Sequence, residues 1–489
     1  DEDLEAFTVQ SLLIDSGSIT FDRGYQNAYG EMLNLDPGPP FIIEGSIQGA
    51  GGISFVSGGV DLTNPFQIYV QPSGGHTGLI SLADGVNFVG SPIDPIRIEG
   101  PYKISCGLDY QVDNPNLTWT YTTFRCSYSA AVHNMVPFAF SGVGLTVENC
   151  RFTGMGSDFF YLMSILDHNA FVPTYDIAFR NCQFDNLDFT GGYHPIVIDN
   201  FARLSIEGCQ FNNITYDSVA TSGLAVIRNC GIYSIKDNTV SGNTLDKFHI
   251  TNAWAADSAF IRTSDDLPIV ANDIVVPFDS ALAIGKGSVI KFLWSGGIET
   301  SGRLYIDSTV LTSWQDDTHG GNTDLAPPPT TWDKWKTDGG RGITVFPGGR
   351  AELNNTKIYH ASGAVQAGGP VTIDSSYIAD CDGFGLYADG AGADTFRVAN
   401  TTITRTAKDG AGSTAAIVYR DASLGPQALI LDSVSIIGNE FDGVYVSYVA
   451  DQFTSITIRN CRIIDNAGYG IRYPADSHLR DFVLTKSVI

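Results

Sequence analysis

Short segments in which apolar and polar residues alternate recur along most of the chain. Alternation with a period of two is typical of β-strands and differs from the 3.6-residue period of a helix. Five segments share the template apolar, x, apolar, x, Asn or Gly, Cys, x, apolar; they are 145–152 (LTVENCRF), 177–184 (IAFRNCQF), 204–211 (LSIEGCQF), 225–232 (AVIRNCGI) and 456–463 (ITIRNCRI). The chain therefore contains an internal repeat.

The repeat continues where the cysteine is replaced, with Thr356, Ser376, Thr401 and Val434 at the marker position. Most neighbouring markers are about 20 to 33 residues apart, which matches a coil of three short strands and three turns. We therefore predict an all-β fold, a right-handed parallel β-helix (solenoid) with loop excursions. Residues 1–100 are predicted to form an N-terminal cap and early coils, and residues 101–489 the β-helix itself.

Asparagine precedes the marker in most repeats. Because Asn and Gly tolerate the left-handed backbone conformation, we expect a bend between two strands there, with successive amides bonded along the axis. The positions concerned are Asn149, Asn181, Asn229, Asn355, Asn400 and Asn460, with Gly208 as a substitute. The marker cysteines are expected to be free, small and inward-facing. Cys106 and Cys126 are the pair most open to a disulfide.

Charge and hydropathy restrict the possible partners. The chain has 28 Lys and Arg against 53 Asp and Glu, a net charge of −25. Such a field repels nucleic acid and anionic membranes, so we expect no nucleic-acid partner. No uncharged apolar stretch reaches about 18 residues, so we expect no membrane insertion. A secreted or cell-surface location is our expectation.

Residues 275–292 (VVPFDSALAIGKGSVIKF), 302–312 (GRLYIDSTVLT) and the following SWQDDTHGGNTD resemble bacterial extracellular right-handed parallel β-helix repeat proteins. The resemblance is specific over about residues 270–360. It implies the pectate-lyase-like superfold and export. It does not imply one function, because this superfold includes lyases, hydrolases, epimerases, phage tailspikes and adhesins.

The step from Thr309 to Thr356 is longer than one coil, which predicts a loop excursion at about residues 313–345. Four oxygen-bearing side chains lie close together in it, and two glycines between them allow the backbone to turn back. They fit Ca²⁺, which binds 6 to 8 oxygens in general, and the predicted ligands are Asp316, Asp317, Asn322 and Asp324. The alternative is a solvated loop without an ion.

Aromatic and basic residues of the same excursion predict a carbohydrate-binding surface. Large aromatic faces stack on sugar rings, and charged side chains nearby bond the hydroxyls. The candidates are Trp314, Trp332, Trp335, Lys334, Lys336 and Arg341. The alternative for the tryptophans is packing of the excursion against the wall of the solenoid.

Two functions follow from these features. The first is an extracellular structural or adhesive β-helix, stabilised by Ca²⁺, that presents loops to a polysaccharide or a neighbouring surface protein. The alternative is a carbohydrate-active enzyme, a polysaccharide lyase or glycoside hydrolase, with its site in a groove beside the excursion. A lyase needs a base beside a cation, and His319 is one candidate base. We favour the first function, and the sequence identifies no catalytic residue.

Overall fold

A computed structural model describes the parts of the chain discussed below. It describes residues 92, 117–125, 144–154, 175–189, 196–216, 223–293, 296–323, 342–388, 395–406, 415–420, 428–447, 455–473 and 481–489, together with the backbone of the strands outside these ranges. Two compact units are present, Asp1–His249 and Ile250–Ile489, and each is described by itself.

Every regular element of the described residues is a β-strand. The first 26 strands, β1 to β26, are Val9–Ile14, Ser18–Phe21, Tyr25–Gln26, Met32–Leu33, Ile43–Gly49, Gly52–Phe55, Asp61–Thr63, Gln67–Val70, Gly78–Leu82, Asn87–Val89, Ile96–Glu99, Tyr102–Cys106, Asn116–Thr120, Thr122–Arg125, Phe138–Ser141, Gly144–Glu148, Arg151–Met155, Met163–Leu166, Asp176–Arg180, Gln183–Phe189, Ile196–Asp199, Arg203–Glu207, Gln210–Tyr216, Ala225–Arg228, Gly231–Lys236 and Thr239–Ser241.

The remaining strands continue in chain order. Strands β27 to β50 are Phe248–Thr251, Ala253–Arg262, Ile269–Val276, Ala281–Ile284, Val289–Thr300, Arg303–Asp307, Val310–Ser313, Ile343–Val345, Arg350–Asn354, Lys357–Tyr359, Val365–Ala367, Val371–Asp374, Tyr377–Ala379, Leu386–Gly390, Thr395–Ala399, Thr402–Thr404, Ala415–Asp421, Ala428–Asp432, Ser435–Ile437, Asp442–Val449, Ser455–Arg459, Arg462–Ile464, Ile471–Arg472 and Asp481–Thr485. Among the described residues, no helix long and apolar enough to cross a membrane is found.

Within each unit, the strands of the large sheets pair in parallel with the strand one coil later, whereas β3 and β4 of the first unit form a separate antiparallel pair. In the first unit one ladder runs β11, β14, β17, β20, β23 and β26. In the second unit three ladders run side by side, and the one that matters for the site is β33, β36, β39, β42, β45 and β48. Parallel pairing at a period of one coil is the arrangement of a parallel β-helix, so the predicted fold class is confirmed.

The core of each unit is built from columns of inward side chains. In the first unit Phe124, Phe152, Phe184 and Phe211 are each at most 1% exposed. Their rings stack coil upon coil at centroid distances of 4.9 to 5.0 Å. This distance is close to the spacing of neighbouring strands, about 4.8 Å. The ladder register therefore places identical rings directly against one another.

The predicted bends occur at the asparagines. Asn149, Asn181, Asn229, Asn355, Asn400 and Asn460 all have φ between 47° and 55°, and Gly208 has a φ of 63°. The left-handed conformation was therefore predicted correctly. Ser308, Ser375 and Ser433 occupy the same position in other coils with φ of 50° to 60°.

The expected bonding of these amides to one another is wrong for several coils. Asn400 Nδ2 donates to Asp374 Oδ1 at 2.9 Å, and Asn460 Nδ2 donates to Asp432 Oδ1 at 3.1 Å. Asn355 Nδ2 donates instead to Ser308 Oγ. The amides of Asn400 and Asn460 lie at the solvent-exposed surface, where a carboxylate at the end of the strand one coil earlier accepts more strongly than another amide.

The marker cysteines are free and buried, as predicted. Cys150, Cys182, Cys209, Cys230 and Cys461 are among the free cysteines of the described residues. Cys182 Sγ donates to the carbonyl of Val147, one coil earlier, at 3.3 Å. Burial raises the pKa of Cys230 to about 12, so the thiol is kept in its protonated, apolar form. Cys106 and Cys126 have side chains outside the described residues.

Candidate functional site

The start of the excursion folds around a buried lysine. Lys291 lies in β31, is fully buried, and pairs in register with Thr312 of β33. Its Nζ donates to the backbone carbonyls of Asp316 at 2.7 Å and Gly321 at 2.6 Å, and to Thr323 Oγ1 at 3.4 Å. A buried ammonium group is tolerated only when polar partners replace water. Residues 314–323 supply these partners.

Two consecutive glycines shape this loop. Gly320 and Gly321 have φ of 67° and 64°, a conformation that side chains with a Cβ rarely adopt. A Cβ on Gly320 would also lie 3.0 Å from side-chain carbons of Pro268 and Val289. The glycines therefore allow the predicted reversal of the backbone and its close approach to the wall of the second unit.

Asp316 is the centre of the hydrogen bonds within the loop. Its carboxylate is fully buried and accepts from Thr312 Oγ1 at 2.7 Å, from the Thr318 backbone N–H at 2.9 Å and from the Thr318 hydroxyl. It also accepts from His319 Nδ1 at 2.8 Å. Burial by itself raises the pKa of Asp316, but the hydrogen bonds from His319, Thr318 and Thr312 outweigh it and hold the pKa well below its usual range. Asp316 is therefore ionised.

The ionised carboxylate fixes the tautomer of His319. A carboxylate only accepts hydrogen bonds, so Nδ1 of His319 carries the proton. In the neutral imidazole this leaves the lone pair on Nε2, on a side chain that is 27% exposed. The His319 ring also stacks on the ring of Tyr359, with centroids 4.9 Å apart. An oriented histidine on a partly exposed side chain therefore lies beside a phenol.

A continuous row of polar and aromatic side chains runs from His319 across the next three coils. We call it the tyrosine strip and define it as His319, Tyr359, Tyr377, Asp380 and Arg405. The Tyr359 and Tyr377 rings are 5.8 Å apart. Arg405 Nη2 donates to Asp380 Oδ2 at 2.7 Å and approaches the Tyr377 hydroxyl at 3.5 Å, while Arg405 Nε donates to Asp380 Oδ1 at 2.9 Å.

The ladder of β36, β39 and β42 positions this strip. Three coil steps of about 4.8 Å separate the level of His319 from that of Arg405, a length of about 14 Å. Burial raises the pKa of Tyr359, and the neighbouring Tyr377 adds to the effect. Its phenol therefore stays protonated near neutral pH. The strip presents aromatic faces, hydroxyl donors, a bidentate Arg–Asp pair and one basic imidazole nitrogen.

The predicted calcium ligands are only partly described by the structure. Asp316 is buried with both carboxylate oxygens in hydrogen bonds, Asp317 is half-buried and Asn322 is exposed. Asp324 lies outside the described residues. No group of three or more His, Cys, Asp or Glu that could hold a metal occurs in the part of the chain that the structure describes. The calcium site stays a prediction.

The predicted carbohydrate-binding residues lie mostly outside the described residues. Trp314 is half-buried at the start of the loop, where its carbonyl accepts from the Thr323 hydroxyl at 2.7 Å. Trp332, Trp335, Lys334, Lys336 and Arg341 lie in the segment that is not described. Their role therefore stays a prediction.

Lys291 and four members of the tyrosine strip were not predicted from the sequence. The repeat alignment contains a signal for two of them. Asp380 and Arg405 occupy the same repeat position, four residues after the markers Ser376 and Thr401, and both have a φ above 50°. Aligning outward positions, as well as the inward marker, would have grouped these polar residues on one edge. For Lys291, the signal in the sequence is a charged residue within an otherwise apolar strand, VIKF.

A match to one protein-family model supports the fold. Residues 333–487 match the family model described as a right-handed β-helix region. No curated protein matches the chain significantly. A solved structure of the PL6 family alginate lyase AlyGC is similar over 98% of this chain and 96% of its own, with 9% identity and a TM-score of 0.33. A point mutant of that enzyme matches with a TM-score of 0.27 and 9% identity over the same shares of both chains.

The family-model match agrees with the coil geometry over residues 333–487. The strand ladders give a parallel β-helix, and the family model gives its right-handed form. The resemblance drawn from the sequence is therefore confirmed at the level of the fold.

Proposed function

We propose that this right-handed parallel β-helix protein acts outside the cell as a structural or adhesive protein that binds a polysaccharide along the tyrosine strip. One observation carries the proposal: two tyrosine rings and an Arg–Asp pair are contiguous over successive coils. Export belongs to the same proposal, whereas calcium binding to the excursion stays a prediction that the chelator measurements below test. A neighbouring surface protein is the other partner that the sequence allows.

The chemistry of the strip matches that of a sugar chain. A pyranose ring presents C–H groups to an aromatic face and hydroxyls at its rim. Tyr359 and Tyr377 offer the faces, and the paired Arg405 and Asp380 offer donors and acceptors side by side. An elongated ligand fits a strip about 14 Å long better than a compact one, because each coil adds a further contact at about 4.8 Å.

We expect Tyr377→Ala and Arg405→Ala each to weaken polysaccharide binding by about tenfold, since central aromatic and arginine contacts each contribute more than about 1 kcal/mol. Titration calorimetry with the polysaccharides that score in a glycan array measures this. The array includes neutral and acidic polymers and is run with Ca²⁺ and with chelator, so that it also tests the calcium prediction.

The chain offers matched controls for both variants. Arg459 pairs with Asp432 on another ladder, and their side chains are 47% and 20% exposed. This is close to the 50% and 21% of Arg405 and Asp380. Tyr445 carries an arginine over its ring, as a control aromatic away from the strip. If Arg459→Ala and Tyr445→Ala weaken binding as much as the strip variants, or if the wild type binds no polysaccharide, the proposal is wrong.

The Asp316–His319 pair favours a second candidate function, that of a polysaccharide lyase. In this scheme His319 Nε2 removes the proton on the carbon beside a uronate carboxylate, and the resulting electron pair forms a C=C bond. The glycosidic C–O bond breaks, and the leaving oxygen takes a proton from Tyr359. A glycoside hydrolase is less well supported, because Asp316 is buried in hydrogen bonds and Asp380 is paired with Arg405.

A lyase would make His319 essential for turnover, beyond its part in binding. We expect His319→Ala to lower the cleavage rate by at least about 100-fold, the usual contribution of a general base. Ultraviolet absorbance of the new C=C bond, followed on acidic polysaccharides, measures the reaction. Release of reducing ends without this absorbance would indicate hydrolysis and contradict the elimination.

A further inference from the structure

Lys291 is fully buried, and its ammonium group bonds both ends of a surface loop. Its ammonium group reaches the carbonyl of Asp316 near the start of the loop and the carbonyl of Gly321 near its end. Thr323 Oγ1, at 3.4 Å from Nζ, in turn donates to the carbonyl of Trp314. The ammonium group of Lys291 therefore bonds oxygen atoms from both ends of the loop.

This network continues from the ammonium group into the tyrosine strip. The backbone of Asp316 bonds Lys291, and the carboxylate of the same residue bonds His319 Nδ1 at 2.8 Å. His319 then stacks on Tyr359. The buried side chain of Lys291 is therefore linked to His319 through a single residue, Asp316.

We propose that Lys291 is the built-in cation of the 314–323 loop and a positioning residue that holds His319 in the tyrosine strip. Carbonyl and hydroxyl oxygens are also the ligands of hard metal cations, and here the ammonium group of the chain occupies their centre. The order of this loop is then independent of added Ca²⁺. The link to ligand binding rests on the proposed polysaccharide function, whereas the ordering of the loop does not.

Hydrogen exchange of residues 314–323 tests the ordering directly. Lys291→Met removes the charge and keeps most of the apolar side chain, and we expect amide exchange in the loop to accelerate about 10- to 100-fold, the equivalent of losing hydrogen bonds to a charged group. Chelator added to the wild type leaves exchange unchanged. Lys247→Met, at another fully buried lysine in the first unit, is the control and leaves the loop unchanged.

Chemical rescue separates a role for the charge from general destabilisation. Lys291→Ala leaves a cavity bordered by the carbonyls of Asp316 and Gly321. We expect ethylammonium to restore slow exchange in the loop, and ethanol at the same concentration to leave it fast. If Lys291→Met does not fold, Lys291→Ala purified in ethylammonium replaces it. Rescue by both compounds, or by neither, overturns the assignment of a built-in cation. The assignment is also overturned if chelator accelerates amide exchange in the wild-type loop as much as Lys291→Met does.

Binding measurements on the same proteins separate the two proposals. If the wild type binds no polysaccharide but exchange follows the expected pattern, the proposed function fails and the ordering role of Lys291 stands. If the wild type binds, we expect Lys291→Met to bind about tenfold more weakly and ethylammonium to restore the affinity of Lys291→Ala. Unchanged binding by Lys291→Met with a loosened loop overturns the positioning role.

Discussion

Phe184→Ala is expected to lower the free energy of unfolding of the first unit by about 3–5 kcal/mol. The Phe184 ring is 1% exposed and lies between the parallel rings of Phe152 and Phe211, each 4.9 Å away, with Phe179 at its edge. Truncation leaves a cavity that a stack of hydrogen-bonded coils cannot close, because the ladder spacing is fixed on both sides. Urea denaturation followed by circular dichroism measures the loss.

The control for this change is an aromatic residue outside the column. Tyr233 is 43% exposed in the same unit, and Tyr233→Ala is expected to change stability by no more than about 0.5 kcal/mol. The double variant Phe152→Ala and Phe184→Ala is expected to show a coupling energy of about 0.5–1.5 kcal/mol beyond additivity. Equal losses for Phe184→Ala and Tyr233→Ala would contradict the stacked column.

Asp316→Ala has the largest effect expected in the second unit. The carboxylate is fully buried and accepts hydrogen bonds from Thr312, Thr318 and His319. Removing one member of such a buried charged network costs about 3–5 kcal/mol, because the donors left behind lose their partner. Denaturation of the second unit in urea and hydrogen exchange of residues 314–323 both measure it.

The same carboxylate gives stability a defined pH dependence. The pKa of Asp316 in the folded protein lies below its ordinary value of 3.8. The stabilisation is therefore fully present above about pH 4, and it is lost as the pH falls through the folded-state pKa and the carboxylate is protonated. We expect Asp316→Asn to be less stable than the wild type at neutral pH, and the difference to shrink toward about pH 2.

A surface carboxylate of the second unit is the matched control for this titration. Asp380 is also paired with a cation, but its side chain is 21% exposed and its arginine 50% exposed. Exposed pairs contribute at most about 1 kcal/mol, so Asp380→Asn is expected to change acid stability little. If the difference in unfolding free energy between wild type and Asp316→Asn is the same at every pH, Asp316 is not the group that causes the loss of stability in acid.

Much of the fold was predictable because the repeat appears in local chemistry. Alternation with a period of two identified strands, and an asparagine before each marker identified bends, which the φ of 47° to 55° confirms. The inward, free cysteines followed from their exchange with Thr, Ser and Val at one position. The partner of several marker amides was predicted wrongly, because it depends on which residue ends the strand one coil earlier, as Asp374 does for Asn400.

The site was much less predictable. The oxygen-rich loop predicted a metal ion, and the ammonium group that bonds Asp316 and Gly321 lies 25 and 30 residues earlier in the chain. Nothing in the local sequence marks Lys291 as a partner of this loop. Likewise Tyr377 and Arg405 are 28 residues apart and come within 3.5 Å only through the ladder of β39 and β42.

The sequence by itself determined the parallel coil, the left-handed bends and the column of small marker side chains, because each depends on the residue type at one position of a repeat. The tertiary structure decided which outward side chains meet. Loops of variable length separate equivalent positions by 20 to 47 residues, so sequence distance does not give the register between coils. Parallel hydrogen bonding fixes that register, and with it the tyrosine strip and the contact between Lys291 and the loop.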